Sequence, residues 1–561
     1  MKDWKKSKKA EPGTAAGIFF WCLAVVLTAY SLFLCSGSDI WYDELFTEGL
    51  IAEGVGDLLR LDARDVHPPL YYLLVKGAVD LAHLFLPDVE AVTISKMMSV
   101  LPFFGLLGYG AIWVQKRYGW LSAGLFAFCV VSMPQMSGYT TEVRMYGWAL
   151  FFVTEAFLHG GEILHEAFHA SEGEALKKTE AAGISPGAGA GGSFPGNRTG
   201  RSAPSDRNVP VRGGFPAPGH WTAFILSGIC AAYTHYFAAL AAFFLYLVLA
   251  AMLLWGCRGE IRRRNLRLWA LGAGISVAAY LPWIPSALSQ VMAVRRNYWI
   301  LPLEWSCFGG CVKFVLKPST GYQWLDYGAA VFLFALLGGL LSGIFLKWKK
   351  MSPGEDGKYL YAACGPVVLG ATALSGILIS VLMRPIFIYR YMLPAMGIFW
   401  LGFVCLLCRR KKKILLIPCL LLLAMGLKDY RAFAGEELFK KKQMERTLAE
   451  LEGIDNDAAV LFNFDQLQAV AGYYLEQDTW LYDGKPEELI RRMFPRAHGG
   501  GDGKWLKSLL EKEGTVWFAG SGLARDALLE EWKQEGIRVA ETVDSCLLER
   551  YWFNLYRLEM E

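Results

Sequence analysis

Apolar stretches dominate the first three quarters of the chain, and eleven of them approach the length of a membrane-spanning helix. A straight helix needs about 20 largely apolar residues to cross the hydrocarbon core of a bilayer. The pattern therefore predicts a polytopic α-helical membrane protein with about eleven transmembrane helices. The stretches are residues 14–35, 91–114, 119–137, 146–165, 219–234, 237–255, 267–285, 326–346, 359–382, 391–408 and 414–427. The first lacks a small-residue cleavage site, which is typical of a retained helix rather than a signal peptide.

The distribution of Lys and Arg predicts the side of the membrane on which each loop lies. Basic residues accumulate in cytoplasmic loops. With the N-terminus inside, 27 Lys and Arg fall in the inner segments and 10 in the outer loops before residue 428. The apolar stretch 68–86 is interrupted by Lys76, Asp80 and His83, and counting it as a crossing would invert every later loop. We therefore interpret it as an interfacial or re-entrant helix on the outer face.

Two segments differ in composition from the apolar stretches. Residues 183–219 are rich in Gly, Pro, Ser and Arg, which is typical of a flexible cytoplasmic loop. From residue 428 onward strand patterns alternate with helical patterns, which predicts a small α/β domain with a largely parallel sheet. The strand patterns are 458–464, 479–482, 515–519 and 537–542, and the helical patterns are 466–475, 486–493, 504–511 and 527–534. We assign residues 1–427 to a transmembrane domain and 428–561 to an extracytoplasmic α/β domain.

The overall composition agrees with this division. Of the 561 residues, 54% are hydrophobic and 19% are charged, whereas soluble domains have about 45–50% apolar and about 25% charged residues. The net charge of +4 excludes a strongly basic nucleic-acid-binding protein. This value combines +12 up to residue 427 with −8 from residue 428 onward. The chain therefore pairs a basic cytoplasmic rim with an acidic outer domain.

Carboxylates gather in the predicted outer loops. The first loop carries the adjacent residues Asp43 and Glu44, and the second carries Glu142. Charged groups near lipid are costly, so their accumulation at one interface indicates a functional site. Adjacent residues do not point the same way on a helix, so one carboxylate can face a reacting centre while its neighbour orients the loop. Desolvation there would raise a carboxyl pKa, which suits a general base. The alternative is that the pair merely caps a helix beside an aromatic belt.

Arginines and histidines accompany these carboxylates. Arg144, Arg384 and Arg390 carry permanently charged, fork-shaped donors that suit a phosphate, although Arg390 also fits a snorkelling role at a helix start. His67 precedes two prolines and His235 lies in a tight turn between tyrosines. Each histidine fits a hydrogen bond to a phosphate or sugar, a metal ligand or a structural role. The candidate ligands for a divalent metal ion are Glu44, His67 and His235.

Five motifs, in order along the chain, resemble those of one group of membrane enzymes. They are the Asp-Glu pair at 43–44, HPPLYY at 67–72, EVRMY at 142–146, YTHY at 233–236 and RYMLP at 390–394. Together they resemble the bacterial branch of the protein O-mannosyltransferase and aminoarabinose transferase superfamily, which are membrane glycosyltransferases of the GT-C fold. The similarity covers about residues 14–430. The sequence lacks the lumenal β-trefoil pattern of longer eukaryotic members.

The resemblance implies that a sugar is transferred from a polyprenyl-phosphate carrier to a glycan, lipid or protein acceptor outside the cytoplasmic membrane, with inversion at the anomeric carbon. It implies that residues 1–427 form the catalytic domain. Asp43 would lie at the reacting centre with Glu44 beside it, and Glu142 would be the acid of the second loop. The implied substrate-binding residues are His67, Tyr71, Arg144, Tyr146, His235, Tyr236, Arg384, Arg390 and Tyr391. Some relatives bind a divalent metal ion near this site and others do not need one.

A membrane transporter or lipid flippase is the alternative from another class of protein. Transporters place polar groups near the membrane midplane on broken helices, often in repeated halves. Here the ionisable groups lie at one face, and the sequence shows no internal repeat. A polyprenyl-phosphate sugar keeps its tail in lipid and its reactive carbon at the surface. Its catalyst needs an interfacial cleft, a base for the acceptor and cations for the phosphate, and the charge pattern favours such an enzyme.

Overall fold

A computed structural model describes residues 13–181, 218–296 and 300–561 as a large helical domain followed by a small α/β domain. A π-helical turn at Gly110–Val114 joins α5 to α6. The predicted flexible loop at 183–219 lies almost entirely outside the described residues. The helices of the large domain are α1 (Thr14–Leu34), α2 (Tyr42–Ala52), α3 (Val55–Asp62), α4 (Leu70–His83), α5 (Ala91–Tyr109), α6 (Gln115–Tyr118), α7 (Trp120–Ser132), α8 (Tyr146–Ala181), α9 (Pro218–Thr234), α10 (Tyr236–Gly256), α11 (Gly259–Tyr280), α12 (Ile284–Arg296), α13 (Cys307–Leu316), α14 (Gln323–Phe345), α15 (Gly357–Leu382), α16 (Leu393–Cys408) and α17 (Lys412–Leu451).

A helix lies at each of the eleven apolar stretches. Within the described ranges, seven helical segments are long and apolar enough to cross a membrane: Thr14–Leu34, Ala91–Tyr118, Tyr236–Gly256, Gly259–Arg295, Gln323–Phe345, Gly357–Leu382 and Tyr389–Cys408. The other stretches coincide with α7, α8, α9 and the first half of α17, which are shorter or less uniformly apolar. A polytopic helical membrane domain is therefore confirmed, and the number of eleven crossings stays a prediction.

The interrupted stretch 68–86 forms α4, a helix of 14 residues. At 1.5 Å of rise per residue, a helix of this length falls short of the ~30 Å hydrocarbon core. It buries Tyr71, Tyr72, Val75 and Val79, and it packs against α2 and α5. α4 is therefore a packed helix beside the first loop and too short for a straight crossing.

Small residues let the membrane helices approach closely. A Cβ atom at Gly17 of α1 would clash with the Trp120 carbonyl of α7, and one at Gly124 of α7 would clash with the Gly17 carbonyl. A similar close contact at glycine joins α15 to α16, where a Cβ atom at Gly365 would clash with the Ile398 carbonyl. Close backbone approach at glycine is a common way to pack helices in lipid, where the hydrophobic effect does not drive association.

The small domain is built on one six-stranded sheet of order β3-β2-β1-β4-β6-β5, in which β1 to β4 are parallel and β6 is antiparallel to both β4 and β5. Its elements are β1 (Ala459–Phe462), α18 (Asp465–Tyr474), β2 (Thr479–Leu481), α19 (Glu488–Met493), β3 (Ala497–Gly499), α20 (Gly503–Glu513), β4 (Val516–Gly520), α21 (Gly522–Gln534), β5 (Ile537–Leu548) and β6 (Tyr551–Met560). The predicted α/β domain is confirmed. The structure adds β3 and β6 to the four strands that the sequence predicts, and α17 runs unbroken through the predicted domain boundary at residue 427.

The small domain packs on the first loop of the large domain. α18 and α19 contact α2. A shared apolar core brings Ile40 and Leu45 of the first loop together with Ala469, Ile490 and Ala497 of the small domain. The Asp39 carboxylate accepts hydrogen bonds from the Tyr474 hydroxyl at 2.5 Å and from the Glu549 backbone N–H. The carboxyl end of β1, which leads into α18, therefore lies next to the loop that carries the predicted catalytic residues.

Candidate active site

The first turn of α2 separates the two adjacent carboxylates. The Glu44 carboxylate accepts the Trp41 backbone N–H at 3.3 Å, which caps the helix, and the Val143 backbone N–H of the second loop at 2.7 Å. Lys96 of α5 lies 3.4 Å from the same carboxylate, and both side chains are buried. Protein donors therefore occupy the Glu44 oxygens, and the residue holds the first loop against the second.

Asp43 lines a different cavity, of about 530 Å³, that we call the reaction cavity. Its carboxylate lies 3.9 Å from Arg144 and 3.8 Å from Arg390, and its side chain is 27% exposed. Arg144 also donates to the Asp43 backbone carbonyl at 3.1 Å. The cavity is lined by Trp41, Tyr42, Asp43, Phe46, Asp65, Val66, His67, Arg144, Arg390, Tyr391, Gln466, Glu487 and Arg550. Asp43 is thus an accessible carboxylate between two guanidinium groups.

The two histidines border this centre in their neutral form. Arg144 donates to Nε2 of His67 at 3.1 Å, and Nδ1 of His235 accepts the Phe237 backbone N–H at 3.1 Å at the start of α10. Burial and the Arg144 charge lower the pKa of His67 well below its usual value. Burial, Arg144 and Arg390 lower the pKa of His235 to about 3. Each ring therefore keeps one N–H free to donate and has its other nitrogen engaged.

The candidate metal ligands do not form a cation site in this arrangement. A neutral imidazole has a single nitrogen lone pair, and the hydrogen bonds described above use it in both His67 and His235. The Glu44 carboxylate is held by two backbone N–H groups and by Lys96. Across the described ranges there is no group of three or more His, Cys, Asp or Glu side chains placed to hold a metal ion. We therefore assign no chemical step to a metal.

An apolar cavity of about 360 Å³ adjoins the reaction cavity and shares Val66, His67 and Tyr391 with it. Its walls include Tyr236, whose hydroxyl donates to Gln290, and Arg384, which donates to the Arg295 carbonyl at 3.3 Å. The lining residues are Val66, His67, His235, Tyr236, Phe237, Gln290, Val291, Val294, Arg295, Ile379, Met383, Arg384, Ile386 and Tyr391. The structure therefore places Tyr236 and Arg384 at the apolar cavity, away from the walls that Asp43 lines.

A third cavity, of about 590 Å³, lies between the two domains, and we call it the interdomain cavity. It shares Trp41, Arg390 and Arg550 with the reaction cavity. It is lined by Trp41, Glu44, Lys96, Gln135, Ser137, Gly138, Tyr139, Thr141, Glu142, Ser319, Arg390, Asp429, Ala432, Phe433, Glu436, Glu437, Lys440, Glu549 and Arg550. Glu142 is therefore in a different cavity from Asp43, although the sequence resemblance grouped these acids at one site.

Glu142 is half-buried in the wall of the interdomain cavity. Burial and the Glu44 charge raise the pKa of Glu142 to about 7, although Arg550, Arg144 and Arg390 act to lower it. A carboxyl group with this pKa changes its charge near neutral pH, which suits an acid or base as well as a pH-sensitive binding group.

Two tyrosines of the predicted site serve as buried supports. The Tyr146 ring lies 5.9 Å from the Arg390 guanidinium and 5.4 Å from the His235 ring. The Tyr391 ring also contacts the His235 ring, with the ring centres 5.2 Å apart and the planes tilted by 59°. Tyr71, by contrast, is fully buried beside Tyr72 in the core of the domain. Of the predicted aromatic residues, Tyr71 is the one whose position least fits a direct contact with substrate.

The small domain contributes site residues that the motifs did not indicate. Gln466 and Glu487 line the reaction cavity, and Arg550 lines both polar cavities. Arg550 lies in the two-residue turn between β5 and β6, with its guanidinium 3.6 Å from the centre of the Trp41 ring. Burial would raise the pKa of Glu549, but Arg550 at 2.8 Å and Lys440 at 2.7 Å hold it below its usual value.

Comparisons with known proteins give a consistent picture of the fold. No protein-family model and no curated protein sequence matches the chain. Among solved structures, ArnT from Cupriavidus metallidurans in the apo state is similar, with a TM-score of 0.54 at 12% identity over 97% of this chain and 98% of that chain. ArnT bound to undecaprenyl phosphate is similar with a TM-score of 0.51 at 13% identity over the same shares. At such identities the likeness shows the fold alone, and it confirms the predicted GT-C fold.

Proposed function

We propose that the chain is a glycosyltransferase that moves a sugar from a polyprenyl-phosphate donor to an acceptor at the outer face of the cytoplasmic membrane. One observation carries this proposal. A carboxylate, Asp43, lies between Arg144 and Arg390 in a cavity that joins an apolar cavity at His67 and Tyr391. The donor has an apolar tail, a phosphate and a sugar. The apolar cavity suits the tail, the arginines suit the phosphate, and Asp43 suits the reacting end of the sugar.

The proposed chemistry is a single inverting displacement. The acceptor oxygen forms a bond to the anomeric carbon while the bond from that carbon to the phosphate oxygen breaks. The acceptor proton passes to the Asp43 carboxylate, and the polyprenyl phosphate leaves with the electron pair. Arg144 and Arg390 stabilise the charge that develops on the leaving oxygen, and they are held in place before the reaction starts. Attack opposite the leaving phosphate accounts for inversion.

The neutral histidines add donors to the same centre. With Nε2 of His67 accepting from Arg144, the Nδ1–H of His67 is a donor. With Nδ1 of His235 accepting from Phe237, the Nε2–H of His235 is likewise a donor. Both rings border the junction of the apolar and reaction cavities. We assign them to the phosphate or to the sugar hydroxyls of the donor.

The experiment that tests this function compares Asp43→Asn with the wild type. Purified protein and an undecaprenyl-phosphate-linked sugar are added to membranes from a deletion strain, so that the native acceptor is present. The wild type should release undecaprenyl phosphate, and Asp43→Asn should do so about 10²- to 10⁴-fold more slowly, the usual range for loss of a general base. Asp57→Asn, an exposed carboxylate of α3, is the matched control.

Two outcomes would contradict the proposal in different ways. Full activity of Asp43→Asn would remove Asp43 from the reaction. Movement of the lipid-linked sugar between leaflets, with no release of undecaprenyl phosphate by the wild type, would support a flippase instead. Unchanged thermal unfolding of Asp43→Asn is required in either case, so that loss of activity is not loss of fold.

The proposed orientation places the N-terminus in the cytoplasm and the small domain outside. It rests on the excess of Lys and Arg in the inner segments. A cysteine introduced at position 191, in a variant whose native cysteines are replaced, should be protected from an impermeant thiol reagent in intact cells. A cysteine replacing the exposed Lys504 of the small domain should be labelled under the same conditions. The reverse pattern would overturn the orientation.

A further inference from the structure

The interdomain cavity lies outside the donor site described above. Its volume of about 590 Å³ falls within the ~300–1,000 Å³ that is common for ligand pockets. The second loop, the outer part of α17 and the turn between β5 and β6 form its walls. Because Trp41, Arg390 and Arg550 belong to both polar cavities, a ligand bound here lies next to the cavity of Asp43.

The charge of the cavity wall disfavours an anionic ligand. Six carboxylates and four cationic side chains line it. Three of the cations are engaged by carboxylates of the same wall. Lys96 lies 3.4 Å from Glu44, and Glu549 lies 2.7 Å from Lys440 and 2.8 Å from Arg550. A phosphate or carboxylate on a ligand would have to compete for these cations and approach the remaining acids.

Among the residues that the structure describes, two buried polar atoms of the cavity wall find no hydrogen-bond partner. Oδ1 of Asp429 accepts the Ser319 backbone N–H at 2.8 Å, but Oδ2 accepts no hydrogen bond from a described residue. The indole N–H of Trp41 donates to no acceptor within residues 13–181, 218–296 and 300–561. The exposed fractions of these side chains are only 8% and 7%. Buried polar groups are nearly always hydrogen-bonded, so this wall holds an acceptor and a donor that a small shift of the side chains would offer to a ligand.

A hydroxyl group satisfies this pair of requirements, since it donates one hydrogen bond and accepts others. A sugar offers several hydroxyls on one rigid ring, together with apolar C–H faces. The aromatic side chains Tyr139 and Phe433 line the same cavity. A single serine or threonine side chain offers one hydroxyl only, which is a poorer match to unsatisfied groups on both Trp41 and Asp429.

We propose that the interdomain cavity binds the acceptor, and that the acceptor is a hydroxyl-rich sugar without an anionic group. The inference rests on the proposed glycosyltransferase function and extends it to the class of acceptor. The small domain then has a direct role, because its β5–β6 turn supplies Glu549 and Arg550 to the acceptor site. The acceptor hydroxyl reaches the anomeric carbon where the two cavities adjoin, beside Trp41, Arg390 and Arg550.

The test measures binding of defined probes to the full-length protein in nanodiscs by saturation-transfer NMR. The probes are chitobiose, chitobiose phosphate, a serine-containing hexapeptide and, separately, undecaprenyl phosphate. Chitobiose should bind the wild type more tightly than its phosphate does. Asp429→Asn and Trp41→Phe should each weaken chitobiose binding by about fivefold, as expected for one hydrogen bond. Asp429→Asn keeps an oxygen for the Ser319 N–H, which protects the fold. Glu445→Gln, an exposed acid of α17, is the matched control.

The probes distinguish failure of the inference from failure of the proposed function. Binding of undecaprenyl phosphate should be the same in the wild type and in Asp429→Asn, because Asp429 lines the interdomain cavity and neither of the two cavities of the proposed donor site. If the wild type does not bind undecaprenyl phosphate, the proposed function is contradicted, whereas the proposed sugar site is not. Tighter binding of chitobiose phosphate, displacement of chitobiose by the peptide, or unchanged chitobiose affinity in both variants would overturn the acceptor assignment.

Discussion

The reaction cavity and the interdomain cavity meet at the first turn of α2, yet their charges differ. Three arginines and three carboxylates line the reaction cavity, whereas four cations and six carboxylates line the interdomain cavity. Asp43 faces the first and Glu44 lines the second. This separation suits the proposed reaction between an anionic donor and a neutral acceptor. In that proposal the leaving phosphate stays with the arginines and the acceptor approaches from the acidic side.

The largest effect is expected at Glu44, where the two cavities are divided. Glu44→Ala leaves the Lys96 ammonium buried without its partner and leaves the Val143 N–H without an acceptor. Breaking one side of a buried ion pair costs about 3–5 kcal/mol of the free energy of unfolding. Thermal unfolding in detergent should therefore show a marked loss of stability. Glu44→Gln, which still accepts the N–H, should lose less.

Glu436→Ala is the control for this measurement, since Glu436 lines the same cavity but is 67% exposed. Its unfolding should match that of the wild type, because exposed ion pairs contribute little to stability. Equal unfolding temperatures for Glu44→Ala and Glu436→Ala would show that Glu44 does not join the two loops.

Arg390, in the wall shared by both polar cavities, should give the largest purely catalytic effect. Arg390→Ala removes a donor held 3.8 Å from Asp43, and loss of one such preorganised donor typically slows a reaction by about 10²- to 10³-fold. The measurement is the rate of undecaprenyl phosphate release at saturating donor. Arg390→Lys should recover only part of the rate, because an ammonium lacks the planar fork of a guanidinium.

Arg384→Ala is the comparison variant for Arg390. Arg384 lines the apolar cavity, where it contacts the Arg295 carbonyl. Its removal should raise the KM for the lipid donor and leave kcat nearly unchanged. An equal fall in kcat for both variants would mean that the phosphate does not sit beside Arg390.

The sequence could predict the parts of the site that depend on local spacing. The five motifs bring Asp43, His67, Arg144, His235 and Arg390 to neighbouring walls. Asp43 and its neighbour Glu44 line different cavities, as the 100° of rotation between adjacent residues of a helix allows. The apolar stretches likewise coincide with helices because the membrane requires long runs of apolar residues.

The sequence could not predict which residues the small domain adds. Arg550 is a residue of a tight turn in which Glu549 has a φ of 48°. Two-residue hairpin turns with positive φ are usually marked by Asn or Gly, and Glu-Arg gives no such signal. The division of Asp43 and Glu142 between two cavities is also a long-range effect. It depends on the packing of the second loop, α17 and the β5–β6 turn, which no local pattern encodes.

Arg550 should give an intermediate effect that belongs to the acceptor. Arg550→Ala removes the contact with the Trp41 ring, 3.6 Å from the guanidinium. Partly desolvated contacts of this kind contribute about 1–2 kcal/mol, so the KM for the acceptor should rise about tenfold. Arg557→Ala, a half-exposed residue of β6 away from the cavities, is the control. A rise in the KM for the donor alone would place Arg550 at the phosphate.

The smallest effect is expected at Glu142, and it should depend on pH. Because the pKa of Glu142 is raised to about 7, its ionised fraction increases as the pH rises from 6 to 8. The ionised carboxylate is the form that accepts hydrogen bonds without competing protons, so the KM for the acceptor should fall across this range in the wild type. Glu142→Gln should not show this fall in KM. At pH 8 its KM for the acceptor should be about fivefold higher than that of the wild type, as expected for the loss of one hydrogen bond. At pH 6 the two should nearly coincide. If the KM of Glu142→Gln still falls with pH, the titrating group belongs to the reaction cavity, where burial raises the pKa of Asp65 to about 6. The two cavities would then not differ in their response to pH.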